Sequence, residues 1–272
     1  MTIDPTARSS VLVAIRDGVG TITLNRPDKM NALTVAMMAE LLETLRSTAA
    51  NDQVRCIVLT GAGKAFCAGA DVGLLKSLRE SGDQDTGRML VDSARAFHAA
   101  LREAPQPVIC ALNGVAAGGG ANIALGCDLR IASDTASIGQ VFAKLGLHPD
   151  YGGTFFLTRL LGPARAMELF LSAELVGADR LERWGLVNRV VKPEQLADAA
   201  HRWAQVIAAG PPLAIRRMKQ NVYRAMDAGL DEMLDHELEA QLALFRSDDF
   251  REGLEAFFAK RHPRFTGQET SQ

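Results

Sequence analysis

Three short segments of this chain hold the residue types that chemistry needs. The first, Lys64 to Asp71, reads Lys-Ala-Phe-Cys-Ala-Gly-Ala-Asp. Its small side chains let the backbone come close to a ligand, so that main-chain N–H groups can donate to it. A plain turn between a strand and a helix uses the same residue types. The second, Asn113 to Ala121, reads Asn-Gly-Val-Ala-Ala-Gly-Gly-Gly-Ala, after one apolar run and before another. It has neither G-x-G-x-x-G nor G-x-x-x-x-G-K-[ST] spacing, which removes the main support for a dinucleotide or a nucleoside triphosphate. It does offer a helix start with unpaired N–H groups and a positive dipole end, suited to an oxyanion or a polarised carbonyl. The third, Leu145 to Thr154, places Asp150 and His148 before two glycines and a helix. Asp150 can carry a proton or cap that helix; His148 can be a second proton carrier or a loop residue.

The elements that position these segments follow from hydrophobic spacing. Val11 to Ile15 and Thr21 to Leu24 are β-rich runs joined through Asp17-Gly18, a hairpin signal. Thr34 can cap a helix whose apolar residues Met38, Leu41, Leu42, Leu45 and Ala49 recur at helical spacing. Cys56 to Leu59 is a continuous apolar strand. Ser81 to Gly87 has nothing to bury and is expected to be a loop, followed by a helix over Val91 to Leu101. Pro107 to Leu112 is a buried strand that leads into the glycine-rich turn and the helix Ala121 to Leu125. Leu129 to Ala132 and Ala136 to Ile138 are short strands. A strand–strand–helix unit thus recurs, which predicts an α/β fold of stacked, repeated turns. Beyond Gly152 helices dominate, over Pro193 to Ala209, Pro211 to Met226, Leu230 to Phe245 and Asp249 to Lys260, with one strand near Asn188 to Val191. Leu254, Phe257, Phe258 and Phe265 are too many large apolar residues for one subunit to bury near its end, and predict an oligomerisation surface.

Composition narrows the function classes. The chain has 272 residues, 47% of them hydrophobic and 23% charged, which is ordinary for a folded protein. No run approaches the roughly 18 apolar residues of a membrane span. A net charge of −2 gives no basic surface for nucleic acid. Met1 to Ser10 is polar with no apolar signal core, so a cytoplasmic location is expected. Cys56, Cys67, Cys110 and Cys127 lie in apolar runs without C-x-x-C pairing or a histidine at ligand spacing. They read as reduced core thiols, and no metal site is expected.

Taken in order, the motifs resemble the crotonase, or enoyl-CoA hydratase/isomerase, superfamily over nearly the whole chain. The carriers are Leu24-Asn-Arg-Pro27 with Asn31-Ala-Leu33, then Gly61 to Asp71, Pro107 to Gly120 and Cys127-Asp128. They continue in Pro149-Asp-Tyr-Gly-Gly-Thr154, Trp184-Gly-Leu-Val187 and the tail Phe257-Phe-Ala-Lys-Arg261. The stretches Val141 to Asp150, Asp249 to Gly253 and Phe265 to Gly267 most resemble the branch of bacterial 1,2-epoxyphenylacetyl-CoA isomerases. The resemblance implies a spiral of ββα turns over residues 1–195 that binds acyl-CoA, and a helical oligomerisation region over 196–272. A homotrimer, or a hexamer built from trimers, is implied with it. The substrate would be an acyl-CoA thioester whose carbonyl is held by the N–H groups of Ala70 and Gly119. No cofactor is implied beyond the coenzyme A of the substrate. A backbone clamp on CoA would run through Ala65, Phe66, Ala68 and Ala70 to Asp71 and Val72, with Lys29, Phe257 and Lys260 as further contacts. As residue types alone, Asp71, Glu40 and Asp128 read as structural, and Lys29 and Lys260 as solvated lysines.

The departures from the family pattern decide the chemistry. Hydratases of this family carry two glutamates, and the matching positions here are Asn122 and Phe142. Hydration needs one group to take a proton from water and another to give one to carbon. Asn122 can only orient a water, and Phe142 can do neither. Moving a double bond along an enoyl-CoA needs one carboxylate to remove and return a proton, and Asp150 stands where some isomerases of the family place theirs. The expectation is therefore an enoyl-CoA isomerase with Asp150 as proton shuttle. The alternatives are an enoyl-CoA hydratase of fatty-acid-type degradation, and a non-catalytic acyl-CoA binder that has lost both glutamates. The acyl pocket is expected to be walled by residues 73–92.

Overall fold

The structure, a computed structural model, describes residues 9–268. The polar opening segment is therefore described only at Ser9 and Ser10. Ten strands and eleven α-helices follow along the described chain. The strands are β1 Val11–Arg16, β2 Val19–Leu24, β3 Cys56–Gly61, β4 Ala65–Cys67, β5 Val108–Leu112, β6 Val115–Ala117, β7 Leu129–Ser133, β8 Ser137–Gly139, β9 Leu175–Gly177 and β10 Arg189–Val191. The helices are α1 Val35–Ala49, α2 Val72–Ser81, α3 Gln84–Glu103, α4 Gly119–Gly126, α5 Gly153–Leu161, α6 Pro163–Ser172, α7 Ala178–Arg183, α8 Leu196–Ala208, α9 Pro212–Arg224, α10 Leu230–Leu244 and α11 Asp248–Ala259.

Two sheets stack the repeated turns. One runs β1-β2-β3-β5-β7-β10, and the other β4-β6-β8-β9. All pairings are parallel except the β1–β2 hairpin and β8–β9. Each pass crosses from the larger sheet to the smaller: β3 to β4, then β5 to β6, then β7 to β8. That crossing is the expected recurring unit, and β3 and β5 are buried on both faces, as parallel strands between layers must be. The hairpin forms at Asp17-Gly18, both at positive φ, as a two-residue turn requires. Thr34 caps α1 by accepting from Met37 N at 3.2 Å.

One expected loop is absent. The composition of Ser81 to Gly87 predicts a loop, yet α2 runs to Ser81 and α3 begins at Gln84. Gly82 ends α2 in the left-handed conformation, and the Asp83 carboxylate accepts from Thr86 N at 3.0 Å to start α3. Caps, not apolar burial, make these turns helical. The helix after residue 195 is part of the core. Leu196, Ala200, Ala204 and Ala208 of α8 pack on Val19, Cys56, Val58 and Ile109 of the larger sheet.

A buried ion pair fastens the next helix. Lys219 on α9 lies 2.9 Å from Asp128 and donates to the carbonyls of Leu101 and Gln106 at 2.8 and 2.9 Å. Asp128 also accepts from Val108 N at 2.7 Å and from the Tyr223 hydroxyl. Beyond it, α10 and α11 expose Leu230, Leu234, Leu238, Leu242, Phe257 and Phe258.

Candidate active site

The site is built around the start of α4. The second sheet delivers β6 to Gly118, whose φ of 53° and ψ of −127° are open to glycine and not to larger residues. Gly118 N donates to Gly139 O at 2.9 Å, which ties the turn to β8. Gly119 is the first residue of α4, so its N–H has no carbonyl within the helix to meet.

The second N–H comes from the segment after β4. Leu33 N donates to Gly69 O at 2.7 Å and Leu33 O accepts from Asp71 N at 2.9 Å. These two bonds flank Ala70 in a parallel bridge, so the N–H of Ala70 itself faces away from Leu33. Gly69 has a φ of 90°, and a Cβ there would lie 2.8 Å from Ala117 O and 3.6 Å from Gly119 N. The backbone of residues 69–70 therefore lies directly against that of 117–119. Two main-chain donors on touching segments can serve one oxyanion.

Asp150 occupies the loop before α5. It does not cap that helix: Gly152 is the N-cap and makes no side-chain cap bond. The Asp150 Oδ1 is buried and has no hydrogen-bond partner among the described residues. Burial raises its carboxyl from 3.8 to about 6, against weaker downward pulls from its own backbone N–H and from His148. His148 itself is exposed.

Its neighbours close the site. Tyr151 has a φ of 49°, and its hydroxyl donates to Leu90 O on α3 at 2.9 Å and lies 3.2 Å from Ser93 Oγ. A Cβ on Gly119 would lie 3.5 Å from the Tyr151 ring, and one on Gly118 3.6 Å from the Phe142 ring. Asn122 is fully buried; its Nδ2 donates to Asp150 O at 2.8 Å and its Oδ1 accepts from Gln140 Nε2 at 2.7 Å. Tyr151 and Gln140 were not singled out from sequence. Tyr151 lay inside the third motif, but Gln140 gave no signal beyond being polar before Phe142.

The remaining candidates fall in three places. Ala65 and Phe66 are fully buried, and their carbonyls accept from Asn31 Nδ2 at 2.8 and 3.1 Å. Ala68 is half-buried beside them, and its N–H is used on Met30 O at 3.0 Å. Asp71 caps α2 through Gly73 N at 3.0 Å and pairs with Arg26 at 3.1 Å. Burial pushes its carboxyl up, but Arg26 and the helix N–H groups outweigh that and hold it below the usual range. Val72 and Lys29 are exposed nearby, Lys29 in a short 3-10 turn over Pro27–Lys29. Phe257 on α11 and Lys260, which caps its end, stand apart, and Phe257 lines a groove with Pro211, Met218, Leu244 and Phe245. All four cysteines are buried free thiols.

This layered spiral, with two backbone donors on touching segments and the half-buried Asp150 carboxyl in the loop bonded to α4, defines a class of protein that known relatives identify. A family model described as enoyl-CoA hydratase/isomerase matches residues 14–268, and the chain belongs to that family. The crotonase fold is shared: an enoyl-CoA hydratase from Bacillus anthracis superposes with a TM-score of 0.90 at 36% identity, covering 95% of this chain and 100% of that one. Among curated relatives, the 1,2-epoxyphenylacetyl-CoA isomerase of Escherichia coli (strain K12) is 42% identical over 95% of this chain and 98% of its own length. A probable enoyl-CoA hydratase of Rhodobacter capsulatus is 41% identical over 93% of this chain and 96% of its own.

Proposed function

We propose that this chain is an enoyl-CoA isomerase that moves a double bond along the acyl chain with Asp150 as its single proton carrier. The observation that carries the reading is the Asp150 carboxyl: half-buried, with Oδ1 fully buried and without a partner among the described residues, and raised to about 6. A carboxylate near that value takes a proton and returns it at neutral pH better than one near 4.

In the mechanism, the thioester oxygen accepts from the N–H groups of Ala70 and Gly119. Asp150 removes a proton from C2 of a 3-enoyl-CoA. The negative charge moves onto the thioester oxygen as an enolate, and the two donors meet it there. Because that charge is absent in the substrate and largely developed in the transition states that flank the enolate, fixed donors stabilise those states more than the substrate. Asp150 then gives the same proton to C4, and the bond becomes conjugated. No cofactor enters; the coenzyme A belongs to the substrate. The exposed leucines and phenylalanines of α10 and α11 support a homotrimer or a hexamer. No described helix is long and apolar enough to cross a membrane.

The hydratase reading draws on the names of relatives. Against it, Asn122 and Phe142 supply no carboxylate, and the Asn122 amide is already engaged at both ends.

The test is Asp150→Asn, assayed on 3-hexenoyl-CoA becoming 2-hexenoyl-CoA and on exchange of C2 protons for deuterium. Both should fall about 100- to 10,000-fold while thioester binding stays within a few-fold. A variant that keeps the wild-type rate ends the reading. A wild type that hydrates crotonyl-CoA but exchanges and isomerises nothing favours the hydratase. One that only binds thioesters favours the binder.

A further inference from the structure

Nothing attached to the Asp150 side chain explains why its carboxyl stays where it is. Its Oδ1 is buried with no partner among the described residues, so the position of that oxygen is set by the main chain that carries it. That main chain is held by Asn122, whose Nδ2 donates to Asp150 O, and by Gly153 N, which donates to the same oxygen at 2.9 Å. We propose that Gln140 and Asn122 are positioning residues, a one-way chain of amides that fixes the Asp150 loop over the start of α4. The inference rests on Asp150 being the proton carrier.

The direction of the chain is forced. A carbonyl oxygen only accepts, so Asn122 must turn Nδ2 toward Asp150. Its Oδ1 then faces Gln140, which must turn Nε2 to meet it. Gln140 is fully buried, and its Oε1 is left buried with no partner among the described residues. A residue kept only for packing would not carry that cost, since Met or Leu fills such a space without an orphaned acceptor. Asn122 tells the same story. Every other residue of α4 is Gly, Ala, Ile or Leu, and all eight positions are buried. The loop is shaped to admit the amide: a Cβ on Gly153 would lie 2.6 Å from Asn122 Nδ2.

Loosening the chain should let the loop move and water reach the carboxyl. The titratable groups that bear on Asp150 are His148 and Tyr151, its neighbours in the loop, and Cys67 bears on Tyr151. From α4 and the segment after β8 come only the neutral amides of Asn122 and Gln140. A shift in the titration of Asp150 on removing an amide therefore reports hydration and position, not the loss of a charge.

The experiment compares wild type, Gln140→Met and Asn122→Leu in the 3-hexenoyl-CoA assay from pH 4.5 to 8.5, with thermal melting and thioester binding measured on each. Both variants keep side-chain length or branching, so if one fails to fold the other still decides. The expected result is a kcat about 10- to 100-fold lower with KM nearly unchanged. The acidic limb of the kcat profile should also move from about 6 toward the ordinary carboxylate value near 4. A folded variant with unchanged kcat and an unmoved limb overturns the proposal. A folded variant with lowered kcat and an unmoved limb also overturns it, because a general structural loss gives that pattern. Asp150→Asn run alongside separates the two ideas. If it is as active as wild type, Asp150 carries no proton and both fall. If it is inactive while the amide variants behave as wild type, only the positioning role falls.

Discussion

Asp150→Asn should make the protein more stable at neutral pH while making it inactive. The sign comes from linkage. Folding raises the Asp150 carboxyl from 3.8 to about 6. Between those values the folded state binds more protons than the unfolded state, so stability falls as pH rises through the window. Above it the folded protein carries the full penalty of an ionised, partly desolvated carboxylate; below it the group is neutral in both states and the penalty vanishes. Two units at roughly 1.36 kcal/mol each give an upper bound of about 3 kcal/mol. Asp150 is half-buried, not sealed, so solvent screening reduces the expected gain to about 1–2 kcal/mol. Urea unfolding of wild type and variant, each at pH 8, 6 and 4, measures it. The variant's advantage should be largest at pH 8 and shrink steadily between pH 6 and 4. Comparing pH values cancels whatever the amide itself costs, because protonated Asp and Asn have nearly the same shape. A gain independent of pH, or no gain at pH 8, would refute the account of why this carboxyl titrates high.

Three other outcomes are expected. Lys219→Met leaves the half-buried Asp128 short of its cation, and should destabilise the fold by at most about 3–5 kcal/mol in denaturant unfolding; adding Asp128→Asn should recover part of that loss. Gly119→Pro removes one N–H at a position where helices accept proline, and should cut turnover by about 100-fold or more with circular dichroism matching wild type; activity near wild type would clear Gly119 of any role. Light scattering at micromolar concentration should give a trimer or a multiple of it, and a monomer would remove the assembly reading of α10 and α11.

What was legible in the sequence was what depends on neighbours along the chain. The Asp17-Gly18 turn, the Thr34 cap and the glycine run at 118–120 act within a few residues, and each appears where expected. The placement of Ala70 against Gly119 needed the family pattern, because contacts between distant segments leave no periodic trace. The use of Asn122 was hidden for the same reason. As a residue type it could have oriented a water, but its amide is spent on a carbonyl 28 residues later. β9 leaves no signal in the sequence, because Leu175-Val-Gly177 is too short to show alternation and it exists only through its pairing with β8. The Ser81 to Gly87 stretch reads as a loop because it has no apolar stripe, whereas the Gly82 and Asp83 caps are enough to make its flanks helical.

The buried cysteines have a consequence for how the folded protein meets reagents. Burial pushes the Cys56 and Cys67 thiols up to about 12. At pH 8 only about one molecule in ten thousand would then hold either as the thiolate that attacks alkylating agents and disulfides. The native state is therefore nearly silent toward such reagents, and any labelling reports a moment when the chain has opened. Cys56 lies in β3 at the centre of the larger sheet, and Cys67 ends β4 in the smaller one. The two thiols are natural clocks for the opening of the two layers, and their relative rates would show whether the sheets come apart together or one before the other.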